Sequence, residues 1–516
     1  MARTPLMRTV LRLADRAFRD PAIDSIWPDH SRRRFLAVAA LSSAGLALPG
    51  WARGPLAPPP RIAVVGGGLA GLTCAYRLAQ AGYVSRVYEA ADRLGGRCWS
   101  LRGAFDEDQL VERGGELIDT GHIEIRQLAQ ELDLDLDNLY QAEAQGTEPC
   151  YFFNGSAYSY DDATRDLKAI WQSLHKDLVA AGYPTTYYAS TERGRELDQT
   201  SLYDWIDQNV PGGQGSRLGR LLDVAYNIEF GAETTDQSSL NMLYLLGYVG
   251  PGRLRIFGPS NEKYHVRGGN DQIVMGLGKA LSGQIETGAE LRAVRRDTDG
   301  TYTLTIRRGS TDSEYQYDHV VLAIPFPVLR ESIDWSAAGF SAVKQTAILG
   351  LGMGTNTKLH VQFRTRHWNT LGCNGESYAD TGYQASWEVT RAQPGDSGIL
   401  VNYTGGVTGT DAGAGTPEES AEAFLDQIEP VMPGISAAWN GKAQRQYWAD
   451  YPWTLGSYSY YRVGQYTLFG GAEAEREGNC HFAGEHTSQD FQGYLQGAVV
   501  SGERAAAEIL ADLKAA

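Results

Sequence analysis

Residues 61–71 read Arg61-Ile62-Ala63-Val64-Val65-Gly66-Gly67-Gly68-Leu69-Ala70-Gly71, and this stretch decides the fold class. Ile62 to Val65 is a short apolar run with strand character, and Leu72 to Ala81 has helical character. Between them Gly66, Gly68 and Gly71 supply G-x-G-x-x-G. The first glycine permits a tight turn, the second lets backbone approach a pyrophosphate, and the third lets the helix pack close to the strand. The helix amino terminus adds free N–H groups aimed at phosphate charge. Gly82 ends the helix, Val84 to Tyr88 forms a second strand, and Glu89 follows 18 residues after Gly71. A carboxylate there accepts hydrogen bonds from ribose hydroxyls. A lone glycine motif is weak evidence. Strand, turn, helix, strand and acid in series predict a Rossmann-like dinucleotide-binding unit in an α/β protein.

The 516 residues predict two to four domains, and 42% hydrophobic with 21% charged residues excludes disorder throughout. Lysine and arginine number 46 against 62 aspartate and glutamate, a net charge of −16, which argues against a nucleic-acid partner. Glycine is abundant, 60 residues, which implies many tight turns and close backbone approaches. Cys74, Cys98, Cys150, Cys373 and Cys480 have no pair closer than 24 residues. That spacing fits neither a zinc ribbon nor a disulfide framework, and no metal site is expected.

Residues 31–37, Ser-Arg-Arg-Arg-Phe-Leu-Ala, precede an apolar stretch from Phe35 to Pro49 and small residues around Ala52. A basic region, an apolar region and small residues are the parts of a secretory signal, and the paired arginines are of twin-arginine type. Ser42, Ser43 and Gly45 shorten the strongly apolar part, which disfavours a stable membrane anchor. The expectation is an exported protein loaded with its cofactor beforehand.

After Glu89, Arg93-Leu94-Gly95-Gly96-Arg97 resembles the second phosphate-contacting loop of the flavin-containing monoamine oxidase family. Gly114-Gly115-Glu116-Leu117 lies where that family brings backbone against the flavin ring. The resemblance continues with Arg267-Gly268-Gly269 and with Leu291, at the place of an adenine contact. It also covers Val320 to Pro325, Phe482-Ala483-Gly484-Glu485 and Gly493-Tyr494-Leu495-Gln496-Gly497-Ala498. It implies FAD as cofactor, with Gly66, Gly68, Gly71, Glu89, Arg97, Gly114, Gly115, Glu116, Leu117, Leu291, Trp448, Glu485 and Leu495 around it. Glu485 would take the ribityl hydroxyls. The last helix, roughly residues 496–513, would aim its positive end at the flavin pyrimidine. Ser457 stands where mammalian relatives carry the cysteine bonded to flavin, so the FAD is expected to be non-covalent.

The resemblance implies a FAD-binding domain of discontinuous segments, 60–125, 262–345 and 455–516, after an extension over 1–54. A mixed-sheet substrate domain with a helical lobe would come from 126–261 and 346–454. Such an enzyme holds a neutral amine over the flavin and passes hydride to it. Residues 447–469 carry nine aromatics in 23 positions, too local an enrichment to be average core. Tyr458 and Tyr494 match two tyrosines that face each other above the flavin in the family, and both are candidates for catalysis and substrate binding.

Thr355 to Phe363 alternates as a strand, with Leu359, Val361 and Phe363 on one face and Lys358, His360 and Gln362 on the other. Pattern alone reads as a half-exposed strand with a solvated lysine. The resemblance instead makes Lys358 the functional lysine, bridged by water to the flavin. Trp387 and Glu388 match substrate-wall positions of the L-amino acid oxidase branch, or are an ordinary strand. Where many members of that branch carry a carboxylate-binding arginine, this chain has Leu117.

The leading expectation is an L-amino acid oxidase consuming O2 and producing a 2-oxo acid, ammonia and hydrogen peroxide. A primary-amine or polyamine oxidase giving an aldehyde, or a flavin-binding protein without turnover, are the alternatives. A homo-oligomer is left open.

Overall fold

A computed structural model describes residues 59–246 and 261–515. The twin-arginine stretch and the apolar segment after it lie outside the described residues.

Strand β1 (Ile62–Val65) is buried along its whole length and runs into helix α1 (Leu69–Gln80), and then β2 (Ser85–Tyr88). The helix begins at Leu69 rather than Leu72, because its first turn is the glycine motif itself. Strand β3 (His319–Leu322) pairs with β1 on the other side. The five-stranded sheet runs Cys480–Phe482, β3, β1, β2, Ile285–Glu286, and every pairing is parallel. One face, with Ile62, Val64, Val87 and Val321, packs on α1 and the carboxyl-terminal helix Leu495–Ala515. The other, with Ala63, Val65 and Leu322, packs on Tyr302, Leu304 and Ile306 of a three-stranded antiparallel sheet. Cover on both faces is why these strands read as continuous apolar runs. The two helices approach closely because Gly502 faces α1, where a Cβ would strike the Ala70 carbonyl oxygen.

A seven-stranded mixed sheet forms the second layer. Thr357–Phe363 is interior to it, paired antiparallel with Gly398–Thr404 and with Trp439–Tyr447. All seven of its residues are buried. Leu359, Val361 and Phe363 pack against Phe424 and Ile428 of the helix Pro417–Ile428. The polar face is covered by the loop over 105–116, where Gln362 Nε2 donates to Asp106 O and Gln109 Oε1 at 3.1 and 3.0 Å. The alternation therefore separates an apolar from a polar interior, and a solvated Lys358 is displaced as a reading.

Five helices, Tyr160–Ala181, Glu192–Asp198, Leu202–Asn209, Arg217–Phe230 and Leu240–Leu246, share a core with Trp387, Val401 and Tyr403 of this sheet. Ser159, Thr191, Ser201 and Ser216 cap the first four, each side chain accepting from a backbone N–H of the first turn. Ile123–Glu131 packs its Ile125, Leu128 and Ala129 with α1 instead.

Candidate active site

One long cavity runs from the β1–α1 turn to an aromatic wall on the second sheet. Gly66, Gly68, Glu89 and Leu291 line one end, and Lys358, Trp387, Tyr403, Tyr458 and Tyr494 line the other. Arg97, Gly114, Gly115, Glu116, Leu117, Trp448, Glu485 and Leu495 lie along it. These distant segments thus converge on one space, whereas Arg267-Gly268-Gly269 does not line it.

The dinucleotide end fits a phosphate-bearing cofactor. Gly68 is the N-cap of α1, no side chain caps it, and no acid sits in the first turn. A Cβ on Gly68 would meet nothing within 4 Å, so bare helix N–H groups face the cavity. Gly66 has φ +107° and a Cβ there would collide with the Ala323 carbonyl oxygen. Gly71 sits behind the turn, where a Cβ would strike the Gly66 carbonyl. These are the three roles the motif assigns to its glycines.

Glu89 accepts from Gly67 N at 2.7 Å and from Ala91 N at 2.8 Å, so the carboxylate also fastens the turn. Burial pushes its pKa up, and the two backbone N–H groups oppose the shift. Arg97 Nη1 donates to Ser457 O at 2.7 Å and to Glu485 Oε1 at 2.9 Å. Burial would raise Glu485, but the Arg97 charge and the donor Ser459 Oγ at 2.8 Å hold it below the usual carboxylate range, and Gly493 N also donates to it at 2.7 Å. Arg93 also reaches the cavity wall, yet its guanidinium lies over the Trp99 ring at 3.7 Å and donates to Leu94 O and Gly96 O. It is committed to the protein rather than aimed at phosphate.

Gly115 permits the contact with the last helix, since a Cβ would come within 2.5 Å of Leu495 Cδ2. Leu495 opens that helix, whose first turn carries no acid, and its positive end faces the cavity. Trp448 Nε1 donates to Arg113 O at 2.9 Å. Ser457 Oγ donates to Asn356 Oδ1 at 2.6 Å, and a serine forms no thioether with flavin.

At the aromatic end, Lys358 Nζ donates to Glu116 Oε2 at 2.6 Å, Gly114 O at 3.0 Å and Glu112 O at 3.3 Å. The other Glu116 oxygen accepts from Trp387 Nε1 at 3.0 Å. Glu116, expected at the cofactor, thus clamps the lysine and the tryptophan on the neighbouring sheet. Tyr403 OH lies 2.8 Å from Tyr458 OH, and Tyr458 OH donates to Ile228 O at 2.9 Å. Trp387 meets Tyr403 edge to face at 5.2 Å. Tyr494 meets His122 in the same way at 5.2 Å. Burial holds His122 below the ordinary histidine range, and its Nδ1 accepts from Asp119 N at 3.0 Å.

Glu388 departs from the expected wall. Alternation turns it away from Trp387, and it accepts from Arg366 Nε at 2.6 Å and Trp368 Nε1 at 3.2 Å instead of lining the cavity. Tyr403 lines the cavity, and His122 packs on Tyr494. Neither has a local signal: Tyr403 reaches the wall only because its strand pairs with Ala385–Glu388.

The model of the family described as flavin containing amine oxidoreductase matches residues 69–510. The chain is a member of that family. Its cofactor is FAD, and at Ser457 it has no thiol to bond the flavin. A probable flavin-containing monoamine oxidase A of Dictyostelium discoideum is 26% identical over 466 residues, covering 87% of this chain and 97% of that protein. An L-amino acid dehydrogenase of Synechocystis is 24% identical, covering 87% and 94%. Among solved structures, a cyclohexylamine oxidase from Brevibacterium oxydans superimposes with a TM-score of 0.76 at 21% identity, over 89% of this chain and 100% of that one. This flavin amine oxidoreductase shares that fold, with a FAD-binding part and a substrate part.

Proposed function

We propose that this flavin amine oxidoreductase is an oxidase of a primary amine, with O2 as electron acceptor and hydrogen peroxide as product. The observation that carries the reading is the Lys358–Glu116 pair at the edge of a cavity walled by Trp387, Tyr403, Tyr458 and Tyr494. FAD supplies the hydride acceptor. The ring faces are weakly negative and orient a neutral amine without burying a counter-charge. The Tyr403 and Tyr458 hydroxyls are tied to each other and Tyr458 to Ile228 O, which fixes that part of the wall. Lys358, anchored on three oxygens, holds a water for reoxidation or for hydrolysis of the imine.

The charge of the described walls supports an amine without a carboxylate, released as an aldehyde. Arg93, Arg97 and Lys358 are the cations of these walls, and each already donates to protein oxygens. Glu116 and Glu262 add carboxylates to the same cavity. An L-amino acid, the substrate expected first from the sequence and released as a 2-oxo acid, is the second reading. It draws support from the likeness to the L-amino acid dehydrogenase.

Peroxide release from the purified yellow protein with tyramine, putrescine, L-phenylalanine and L-arginine, each in turn, tests both. Peroxide with an amine and with neither amino acid is the expected result. Peroxide only with an amino acid reverses the assignment, and anaerobic bleaching without peroxide makes the protein a dehydrogenase. Neither bleaching nor peroxide with any of the four leaves a flavin-binding protein. The twin-arginine reading stands as a companion proposal: Arg33→Lys with Arg34→Lys is expected to retain the protein inside the cell, and unchanged export would end it.

A further inference from the structure

A second constellation sits at the opposite end of the parallel sheet from the cavity. β3 begins at His319 and leads to Ala323 and Ile324, which line the cavity. The neighbouring strand Cys480–Phe482 leads to Gly484 and Glu485, which do the same. His481 pairs with Val321, two residues beyond His319, so alternation sends both imidazoles to one face of the sheet. Their ring centroids lie 5.8 Å apart. Asp512, in the last turn of Leu495–Ala515, completes the group, with one donor atom from each residue within 4.8 Å of the others.

Two buried imidazole nitrogens of this group lack protein partners. His481 is fully buried, and its Nε2 makes no hydrogen bond. His319 is 6% exposed, and its Nδ1 is likewise buried without a partner. Buried polar nitrogens are ordinarily satisfied, so two orphaned imidazole nitrogens side by side require an explanation. The outer contacts supply one. His481 Nδ1 lies 2.7 Å from Glu508 Oε2, and Glu508 is held in turn by Arg504 Nη1 at 2.9 Å. A carboxylate on Nδ1 fixes the proton there and leaves the Nε2 lone pair outward, the arrangement that orients a metal-binding histidine. The carbonyls of the helix's last turn add partial negative charge beside Asp512.

We propose that His319, His481 and Asp512 form a binding site for a divalent cation of the zinc class. Two imidazoles and one carboxylate are ligands that zinc accepts in four-coordinate geometry, with solvent in the fourth position. Asp512 now pairs with Arg476, and both side chains reach solvent, so the ion enters by displacing a guanidinium at the surface. The ion ties the end of the last helix to two adjacent strands. The same helix opens at Leu495 on the flavin cavity, so the site secures the element that aims its positive end there. His319, His481 and Asp512 are 162 and 31 residues apart, a spacing that no sequence motif for metal binding covers.

The test uses the full, untagged holoprotein, freed of metal by a chelator and then given ZnCl2 or CoCl2 alone. The expected results are one zinc per chain retained through gel filtration, a higher thermal midpoint and a visible Co2+ spectrum of four-coordinate intensity. Asp512→Asn and His319→Gln should each lower retention at least about 10-fold, and Glu508→Gln about 10-fold through the outer contact. The flavin absorbance should stay unchanged in all three. Asp512 is half-buried at a helix end, so its variant decides the matter even if the His319 variant fails to fold. Retention well below one equivalent, or one equivalent kept undiminished by Asp512→Asn, overturns the proposal.

Discussion

The Lys358 ammonium lies 2.6 Å from the Glu116 carboxylate and joins the second sheet to the glycine loop of the dinucleotide-binding part. Both side chains are buried, and Glu116 also holds the Trp387 indole. One contact therefore fixes the position of the lysine and of an aromatic wall together. Lys358→Met should leave the protein yellow and slow turnover by roughly 10²-fold or more, the scale of a lost proton-handling group. Glu116→Gln should slow it less, and the double variant should fall short of the summed effects because the two residues act as one unit. Stopped-flow reduction and reoxidation of each variant checks this, and unchanged rates in Lys358→Met would remove its role.

Glu89 serves the turn as well as the cofactor. Its carboxylate accepts from Gly67 N and Ala91 N, so Glu89→Ala unties the loop that faces the cofactor phosphates. FAD retention is expected to weaken by about 10- to 100-fold, matching about 1–3 kcal/mol for orphaned donors. Flavin occupancy after dialysis measures it, and full occupancy would count against the contact.

Glu388 belongs to stability rather than specificity. It accepts from Arg366 and Trp368 away from the cavity, so Glu388→Gln should cost about 1–3 kcal/mol. Relative rates on basic and neutral amines should not change. A shift in substrate preference without loss of stability would return Glu388 to the substrate wall.

Glu286 sets an acid limit. Its carboxylate bonds Arg308 and Arg86, and that pairing, against a burial cost, lowers its pKa to about 2. Between there and the ordinary carboxylate value the unfolded chain binds the extra proton. The stabilisation is therefore complete above the ordinary value and is lost as pH falls towards about 2. Urea denaturation should show wild type more stable than Glu286→Gln at neutral pH, with the gap closing in acid. A gap that does not depend on pH would contradict the assignment.

The sequence was most legible where function is carried by backbone. A turn that places carbonyls against a glycine tolerates no Cβ, so Gly66, Gly71 and Gly114 leave a record in order and spacing. The helix begins at Leu69, inside the motif, because N–H groups that face a phosphate must belong to its first turn. Lys358 was less legible. Its strand alternates like a half-exposed one, and only the loop over 105–116 converts the polar face into interior. Glu388 shows the converse error, since a residue beside Trp387 in sequence points the other way in a strand.

The sequence by itself determined the dinucleotide-binding unit, the family and most of the segments that line the cavity, because those depend on local geometry that specific residues alone permit. Tertiary structure alone decided which side chains meet: Glu116 with Lys358 and Tyr403 with Tyr458 at that space, and His319 with His481 and Asp512 at the opposite end of the parallel sheet. Such pairs form between strands and helices far apart in the chain. Their distances are fixed by how the two sheets and the last helix pack, and no spacing along the chain encodes them.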